Sequence, residues 1–219
     1  MLISAISVKL GDRLVLREVN VEFVRGLNVI LGPNGSGKTT LLRCIIEMLK
    51  PQTGKIEVEA GEKSYAPAEY FGAEMSVLDV LLSGDSRREY TPYLELFSLQ
   101  SFLERNFSSL STGEKRMVLI AKALAEGDVV LMDEPTSGLD LKNQVKLREV
   151  LGTIKHKVIV VSTHDVSFAQ AADRVALLKC GRVIAQGEAE RVLTEDLLTQ
   201  LYEVRVRRVH VDGKTLFLT

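Results

Sequence analysis

The sequence predicts an α/β fold, in which a mostly parallel β-sheet is flanked by helices. Short, almost wholly apolar segments have the composition of strands that are covered on both faces of such a sheet. They span 27–31, 129–132, 158–161 and 175–178. Helical patterns follow or separate them, at 41–49, 113–125, 141–154 and 165–172. This alternation of strands and helices is typical of a parallel α/β core.

Two segments depart from this pattern. Residues 1–25 alternate apolar and polar side chains, which favours an antiparallel layer with one exposed face. Residues 69–109 are rich in helix formers and contain no apolar β run. Within them, Ser76 and Asp79 have the spacing of a helix start in which the two residues cap each other. We interpret this second segment as an inserted helical subdomain.

The C-terminal residues are predicted to cover the core. After Gly187 a helical pattern continues to about residue 202, and alternating valines then lead to the hairpin turn signal Asp212-Gly213. The sequence therefore predicts a single domain with an N-terminal antiparallel β lobe. Its parts are the core (1–68 and 110–186), the helical subdomain (69–109), and a C-terminal helix and hairpin (187–219).

Composition and charge argue against some classes of protein. The 219 residues are 46% hydrophobic and carry a net charge of −1, whereas nucleic-acid binders usually have a basic excess. No apolar run reaches the roughly 18–20 residues that span a bilayer, and the first residues resemble a strand rather than a signal peptide. Cys44 and Cys180 are expected to be buried thiols in a reducing compartment. We expect a soluble cytoplasmic protein whose membrane role, if any, comes through a partner.

A glycine-rich segment lies between the first apolar strand and the helical pattern that follows it. The pattern G-x-x-x-x-G-K-[ST] is met by Gly32, Pro33, Asn34, Gly35, Ser36, Gly37, Lys38 and Thr39. Glycines let backbone N–H groups converge on phosphate oxygens, the lysine supplies a positive charge, and the threonine hydroxyl is a Mg²⁺ ligand. A glycine-rich turn with a chance lysine is the alternative. The flanking strand and helix favour a P-loop NTPase core with an ATP or GTP site, to which we add Thr40.

Polar residues end the next two apolar strands. Asp133 and Glu134 follow 129–132, where Asp133 is placed to hold Mg²⁺ and Glu134 to orient or deprotonate the attacking water. His164 ends the strand at 158–161 and is a candidate contact for the γ-phosphate. Each has a plainer interpretation, because strands often finish in acidic residues at the surface and histidines often lie there. Together with the phosphate loop they predict a hydrolytic site.

A third motif narrows the family. Residues 110–114 read LSTGE, with Ser111, Thr112, Gly113 and Glu114 following a leucine, and resemble the LSGGQ signature of ABC ATPases. Residues 135–140, which end in Asp140, are similar to the D-loop of that family, and His164 falls at the place of its switch histidine. The order and spacing of these motifs match over nearly the whole chain. By resemblance, the sequence is identified as a member of the ABC ATPases.

The resemblance implies a mechanism that one subunit cannot complete. In the family, two subunits pack head to tail with ATP and Mg²⁺ between them. One subunit would supply the phosphate loop, Asp133, Glu134 and His164, and the other would supply residues 111–114 to the γ-phosphate. The partner would be a second copy or another ATPase subunit. Integral-membrane permease subunits would place the protein on the cytoplasmic face of the membrane, and no nucleic-acid partner is expected.

The sequence departs from the family pattern at several positions. The glutamine expected after residues 64–67 is missing, and Ala68 and Glu69 follow instead, with Glu69 as a possible replacement ligand. Leu10 stands where an aromatic residue usually stacks on adenine, which loosens selection of the base. Thr112 and Glu114 replace the usual glycine and glutamine of the signature.

The cargo is suggested by two weaker resemblances. Residues 76–84, and the tail from 187 to 213, are similar to segments of importers for iron–siderophore, haem and cobalamin. The expected function is therefore ATP-driven transport, with import of a metal chelate as the specific form. Two alternatives stay open. One is a soluble ABC ATPase of repair, translation or cofactor assembly, and the other is a regulatory subunit that binds ATP and barely hydrolyses it.

Overall fold

The computed structural model describes residues 1–58, 61–69, 74–84, 87–211 and 213–219, and it confirms the predicted α/β class. The strands are β1 (Leu2–Leu10), β2 (Arg13–Glu22), β3 (Gly26–Leu31), β4 (Thr53–Glu57), β5 (Lys63–Ala66), β6 (Val129–Asp133), β7 (Val158–Thr163), β8 (Arg174–Lys179), β9 (Arg182–Glu188), β10 (Arg207–Val211) and β11 (Lys214–Leu218). The helices are α1 (Lys38–Ile45), α2 (Val77–Leu82), α3 (Thr91–Phe97), α4 (Thr112–Glu126), α5 (Leu141–Thr153), α6 (Val166–Ala169), α7 (Ala189–Val192) and α8 (Glu195–Tyr202), with 3₁₀ turns at Gln100–Phe102 and Phe107–Ser109.

The central sheet has the strand order β5-β6-β7-β3-β8-β9 and is parallel from β5 to β8. All of β3 and β6 is buried, which explains their continuous apolar sequences. In the register of the sheet Leu31 lies opposite Thr163, and Asp133 lies opposite Ser162. The loops that follow β3, β6 and β7 therefore leave the same edge of the sheet, and this edge carries the predicted site residues.

The N-terminal lobe is an antiparallel sheet with the order β2-β1-β4, as predicted for 1–25. Its buried face includes Ile3, Ile6 and Leu16, which pack in one cluster with Leu41 and Leu42 of α1. The apolar face of this lobe thus packs against α1. The lobe thereby fixes the helix that begins at the phosphate loop.

The described residues between β5 and α4 contain helices α2 and α3 and both 3₁₀ turns, which agrees with the predicted helical segment. Ser76 caps α2, because its hydroxyl accepts from the Asp79 N–H and the Asp79 carboxylate accepts from the Ser76 N–H. The stripe Val77, Val80 and Leu81 is buried in the larger hydrophobic cluster. This stripe is therefore part of the core. No helix of the described residues is long and apolar enough to cross a membrane.

Several element boundaries differ from the prediction. Helix α1 ends at Ile45 rather than at 49, because Glu47 adopts φ 64° and cannot continue a right-handed helix. Helix α6 is only four residues long. The C-terminal helical pattern is divided into α7 and α8, with Thr194 as the N-cap of α8. Strands β10 and β11 form the predicted hairpin, whose turn residue Asp212 lies outside the described residues.

The expectation that both thiols are buried is confirmed for Cys44 and wrong for Cys180. Cys44 is buried in α1, and burial raises its pKa to about 11. Cys180 is exposed, because it occupies the tight turn between β8 and β9 with φ 47° and its side chain faces a surface cavity. Only Cys44 has the environment of an inert core thiol.

Asn28 is a fully buried polar residue in the middle of the apolar strand β3. Its amide oxygen accepts from the Val24 N–H (2.9 Å), and its amide nitrogen donates to the carbonyls of Val24 (2.7 Å) and Ile159 (3.1 Å). We expect Asn28→Leu to lower the free energy of unfolding by about 2–4 kcal/mol, because it leaves these buried backbone groups unpaired. Urea denaturation measures the change. Asn143→Leu on α5 is the control, and an equal effect of both variants would contradict this role.

Candidate active site

The phosphate loop connects β3 to α1 and is shaped by its glycines. Gly35 and Gly37 have φ 76° and 109°, and a Cβ added to Gly32 would lie 2.2 Å from the Leu178 carbonyl oxygen. No side chain caps the N-terminus of α1, so its first N–H groups are available to an anion. Within the described residues, the buried Ser36 hydroxyl has no hydrogen-bond partner. Uncapped N–H groups and an unsatisfied hydroxyl fit a bound phosphate.

Lys38 is held inside this loop. Its side chain is only 6% exposed, and its Nζ donates to the carbonyl oxygens of Gly32 (2.8 Å) and Pro33 (3.3 Å). A buried ammonium needs compensation, and the loop carbonyls together with one carboxylate provide it. That carboxylate belongs to Glu134, whose Oε1 lies 3.2 Å from Nζ. The structure thus brings two of the three predicted catalytic residues, Lys38 and Glu134, into direct contact.

Glu134 is fixed by its backbone as well as by its side chain. It adopts the left-handed conformation at φ 46°, and its N–H donates to the carbonyl oxygen (3.0 Å) and hydroxyl (3.2 Å) of Ser162. Its second carboxylate oxygen lies 3.1 Å from Nδ1 of His164. The carboxylate therefore bridges the lysine and the histidine. The His164 side chain is 61% exposed, as expected of a histidine at the surface, and its ring also contacts Glu134.

Asp133 lies at the bottom of a cavity beside the phosphate loop. The aspartate is buried, accepts a hydrogen bond from the Ser162 hydroxyl, and lies 3.4 Å from the Tyr65 hydroxyl. The cavity has a volume of about 540 Å³, and Thr39, Tyr65, Glu69 and Asp133 line it. Burial and the Asp133 charge raise the pKa of Tyr65 to about 12, so the phenol stays protonated. This wall offers the oxygen ligands that Mg²⁺ prefers.

The acidic groups of this cavity do not make a self-sufficient metal site. Among the described residues, no group of three or more His, Cys, Asp or Glu side chains is close enough together to hold a metal ion. Mg²⁺ commonly uses one or two carboxylates and completes its coordination with waters and phosphate oxygens. The residues around Asp133 fit that mode of binding, in which the metal arrives with a nucleotide.

Comparison with known proteins decides the family. The family model described as ABC transporter matches residues 16–137, which is more than half of the chain. The chain belongs to the ABC transporter family. It is an ATPase of that family, and its fold is that of the family's ATP-binding cassettes.

The relatives of this ABC ATPase cover it almost completely. An uncharacterised ABC transporter ATP-binding protein of Methanocaldococcus jannaschii is 32% identical over 91% of this chain and 80% of its own length. A probable iron chelatin transport ATP-binding protein of Helicobacter pylori is 30% identical over 95% of both chains. A solved structure described as an inward-facing ABC transporter of the metal-chelate type is 26% identical, with a TM-score of 0.86, over 99% of this chain and 94% of that chain.

The signature segment of this ABC ATPase forms the N-terminus of α4. The Ser111 hydroxyl accepts from the Glu114 N–H (3.3 Å), and Glu114 Oε2 accepts from the Ser111 N–H (2.8 Å). These hydrogen bonds lower the pKa of Glu114, so its carboxylate is ionised and used as a helix cap. A Cβ added to Gly113 would lie 3.3 Å from the Gly138 carbonyl oxygen. The segment, with Thr112 at the start of the helix, packs against the loop that precedes α5.

The D-loop residue Asp140 has a local structural role. It is the N-cap of α5, where its Oδ1 accepts from the Asn143 N–H (2.8 Å). Just before it, Gly138 has φ 77°, and a Cβ added there would lie 3.1 Å from Thr112 Cγ2. The D-loop therefore contacts the start of the signature helix. Thr40, which we included among the phosphate-loop residues, lies in the first turn of α1.

A second cavity, of about 650 Å³, lies on the other side of the phosphate loop. It is lined by that loop, by β2 residues including Arg13, Val15 and Arg17, and by Cys180. No aromatic residue of the described chain is among its lining residues, and Leu10 is 47% exposed and also lies outside it. The structure does not place Leu10 where it would cover a ring bound in this cavity.

Sequence reasoning missed Ser162 and Tyr65, which support the acidic residues. Ser162 is a buried hydroxyl in the otherwise apolar strand β7, and it contacts both Asp133 and Glu134. A polar residue at the end of an apolar strand is the signal that could have identified it. Tyr65 sits on β5, next to β6 in the sheet, and only the pairing of these strands brings it to Asp133.

Proposed function

We propose that this ABC ATPase hydrolyses ATP at the site formed by Lys38, Asp133, Glu134 and His164, and that it does so to energise transport across a membrane. The observation that carries the proposal is the Glu134 carboxylate, which lies 3.2 Å from the ammonium of the phosphate loop and 3.1 Å from an imidazole. A carboxylate in this position can accept a proton from water beside a phosphate held by the loop.

Each residue has a distinct proposed role. The backbone N–H groups of residues 32–37 and the Lys38 ammonium bind the phosphates. Thr39 and Asp133 hold Mg²⁺, which would neutralise charge on the phosphate oxygens. Glu134 orients and deprotonates the attacking water, and His164 keeps the carboxylate in place and contacts the γ-phosphate. We infer that a bound phosphate would pair with the Lys38 ammonium in place of Glu134. The Glu134 carboxylate would then be free to act as a base.

Glu69 is the proposed replacement for the missing glutamine. It lines the same cavity as Thr39 and Asp133, where a carboxylate oxygen is a suitable ligand for Mg²⁺ or its waters. Arg116 of α4 supports this segment, because its guanidinium donates to the carbonyl oxygens of Pro67 (2.9 Å) and Ala68. We propose that this contact connects the signature helix to the Mg²⁺ site.

The active form is proposed to be a head-to-tail dimer, with a second copy as the default partner and another ATPase subunit as the alternative. Residues Ser111, Thr112, Gly113 and Glu114 would act on the ATP of the partner. Two observations support this proposal. The start of the signature segment is exposed at the N-terminus of a fifteen-residue helix, a position that favours an anion. A solved structure of a dimeric bacterial ABC transporter cassette is also similar to this chain, with 25% identity and a TM-score of 0.74 over 86% of this chain and 98% of that chain.

The transport partner is proposed to be an integral-membrane permease, which would hold the ATPase peripherally on the cytoplasmic face. Import of an iron chelate, haem or cobalamin is the proposed process. The relative from Helicobacter pylori, named for iron chelatin transport, and the metal-chelate type transporter structure support this choice. A nucleic-acid partner is not expected, since the net charge is −1.

Affinity capture from native membranes tests the transport role. A tagged Glu134→Gln form, solubilised with Mg²⁺ and ATP, is expected to bring down a multi-spanning membrane protein, and Lys38→Ala is the matched control that should capture less of it. Capture of soluble proteins or nucleic acid alone would contradict transport while leaving the ATPase chemistry intact. Uptake of a radiolabelled iron chelate by cells that lack the protein would then test the cargo.

The cavity beside β2 predicts weak selection of the base. Stacking on an aromatic side chain contributes about 1–3 kcal/mol per base but tolerates every base, and the described lining of this cavity contains no aromatic ring, so stacking does not separate guanine from adenine here. We expect kcat/KM for GTP to lie within about tenfold of that for ATP, which corresponds to about 1.4 kcal/mol. Steady-state hydrolysis of both nucleotides measures the ratio. A preference for ATP above a hundredfold would show that other groups recognise the base.

A further inference from the structure

The C-terminal helix α8 reaches the candidate active site through its last residue. The Tyr202 hydroxyl donates a hydrogen bond to the backbone carbonyl oxygen of His164, at 2.8 Å. The two residues are 38 positions apart in the chain, and Tyr202 lies outside the region that the family model matches. This contact connects the C-terminal segment to the residue that faces Glu134.

The Tyr202 phenol lies in a half-buried position close to negative charge. Burial raises its pKa, and the carboxylates of Asp165 and Glu134 raise it further. The hydroxyl therefore keeps its proton and remains a hydrogen-bond donor throughout the physiological pH range.

Helix α8 holds Tyr202 rigidly. Leu198 and Leu201 of the helix are buried in the core. Lys179, at the end of β8, donates to the Gln200 carbonyl oxygen and forms an ion pair with Glu203 at 2.7 Å. The C-terminal end of the helix is thereby fixed to a strand of the central sheet. A hydroxyl on such a helix can restrain a neighbouring loop.

His164, in contrast, has little packing of its own. Its side chain is 61% exposed, and its ring contacts Glu134 Oε2 at 3.1 Å. An exposed ring keeps such a contact only if its backbone is held in place, since rotation of the peptide would swing the imidazole into solvent. The hydrogen bond from Tyr202 acts on this peptide directly.

We propose that Tyr202 is a positioning residue for hydrolysis, which acts by fixing the His164 peptide and so keeping the imidazole against Glu134. The inference rests on the proposed function, in which His164 and Glu134 take part in hydrolysis. The plainer role is an anchor for α8 alone. The two roles differ in one respect, because a positioning residue changes kcat only while the imidazole is present.

The first experiment compares Tyr202→Phe with Tyr90→Phe. Each substitution removes one phenol oxygen and one hydrogen bond. In the control, the lost hydrogen bond is the one that the Tyr90 hydroxyl donates to Glu126 Oε1 of α4 (3.0 Å). We expect Tyr202→Phe to lower kcat for ATP about three- to tenfold, the factor that corresponds to one hydrogen bond, with KM nearly unchanged and Tm lowered by about 2–4 °C. Tyr90→Phe should keep the kcat of the parent. Equal kcat values for both variants would overturn the proposal.

The second experiment repeats Tyr202→Phe in a His164→Ala background. If the tyrosine acts through the imidazole, the substitution should change the kcat of His164→Ala less than about twofold, because the group that Tyr202 positions is already absent. A full three- to tenfold loss in this background would show a structural role and overturn the inference. A His164→Ala variant with the parent kcat would remove the proposed role of His164 as well. A slow His164→Ala variant beside an unaffected Tyr202→Phe variant would overturn the inference alone.

Discussion

Glu134→Gln is expected to lower ATP turnover by about two to four orders of magnitude, the usual contribution of a general base. Glutamine has the size of glutamate and can still accept a hydrogen bond from Lys38, which lies 3.2 Å from Oε1. It cannot take a proton from water. We therefore expect the nucleotide Kd to change by no more than about tenfold, because the phosphate loop is intact.

A phosphate-release assay and a fluorescent-nucleotide titration measure the two quantities. Glu126→Gln is a matched control, because Glu126 also pairs with a lysine, Lys122, at 2.6 Å but lies away from the phosphate loop. This variant should keep its turnover. Unchanged turnover in Glu134→Gln would contradict the role of Glu134 and would favour another residue as the base. Low turnover in the parent protein would favour the regulatory alternative.

Lys38→Ala is expected to abolish the stabilisation of the protein by ATP. At a ligand concentration of 100 times Kd, binding to the folded state adds about 2.7 kcal/mol to the free energy of unfolding. The variant loses the ammonium that the carbonyls of Gly32 and Pro33 hold inside the phosphate loop, beside Glu134. Its Tm should therefore be the same with and without Mg-ATP, while the parent protein shows a clear increase.

Thermal denaturation at matched nucleotide concentrations measures this difference. Lys122→Ala is the control, since Lys122 lies toward the C-terminal end of α4 and contacts the Leu81 carbonyl oxygen and Glu126. That variant should have a lower Tm but keep the full increase with ATP. A normal ATP-dependent increase in Lys38→Ala would contradict the assignment of the phosphate loop.

The core strands and the phosphate-loop and acidic motifs were predictable because their signals are local. An apolar strand followed by glycines, a lysine and a helical pattern specifies the phosphate loop within residues 27–49. The signal for the acidic motif is equally local, because the apolar strand β6 ends at Asp133 and Glu134 follows directly. Buried parallel strands have continuous apolar sequences, so periodicity and turn residues were sufficient.

The rest of the fold depends on contacts that the sequence does not display. Strand β9 is half-exposed and pairs antiparallel with β8 at the edge of the sheet, so its apolar pattern is weak. Strand β4 is also mostly exposed and exists by pairing with β1. The exposure of Cys180 follows from the turn between β8 and β9. These strands and this exposed turn depend on which strands pair in the folded chain, and the pattern of a single sequence does not show that pairing.

The sequence predicted the residues that meet at the candidate site but not the residues that support them. Ser162, Tyr65 and Tyr202 reach Asp133, Glu134 and His164 from distant parts of the chain. None of them belongs to the motifs that identified the family. The Lys38–Glu134 ion pair was not foreseen either, since motif spacing assigns both residues to the site without joining them. Supporting contacts of this kind become visible only after the strands are assembled.

Sedimentation velocity of the Glu134→Gln variant, with and without Mg-ATP, decides whether a second subunit closes over the nucleotide. With hydrolysis blocked, the ATP-bound protein should sediment as a dimer, and the nucleotide-free protein should sediment as a monomer. Adding Ser111→Arg, which places a bulky cation at the signature position, should keep the protein monomeric while ATP still binds. A protein that binds ATP and remains a monomer at all concentrations would contradict a site shared between two subunits.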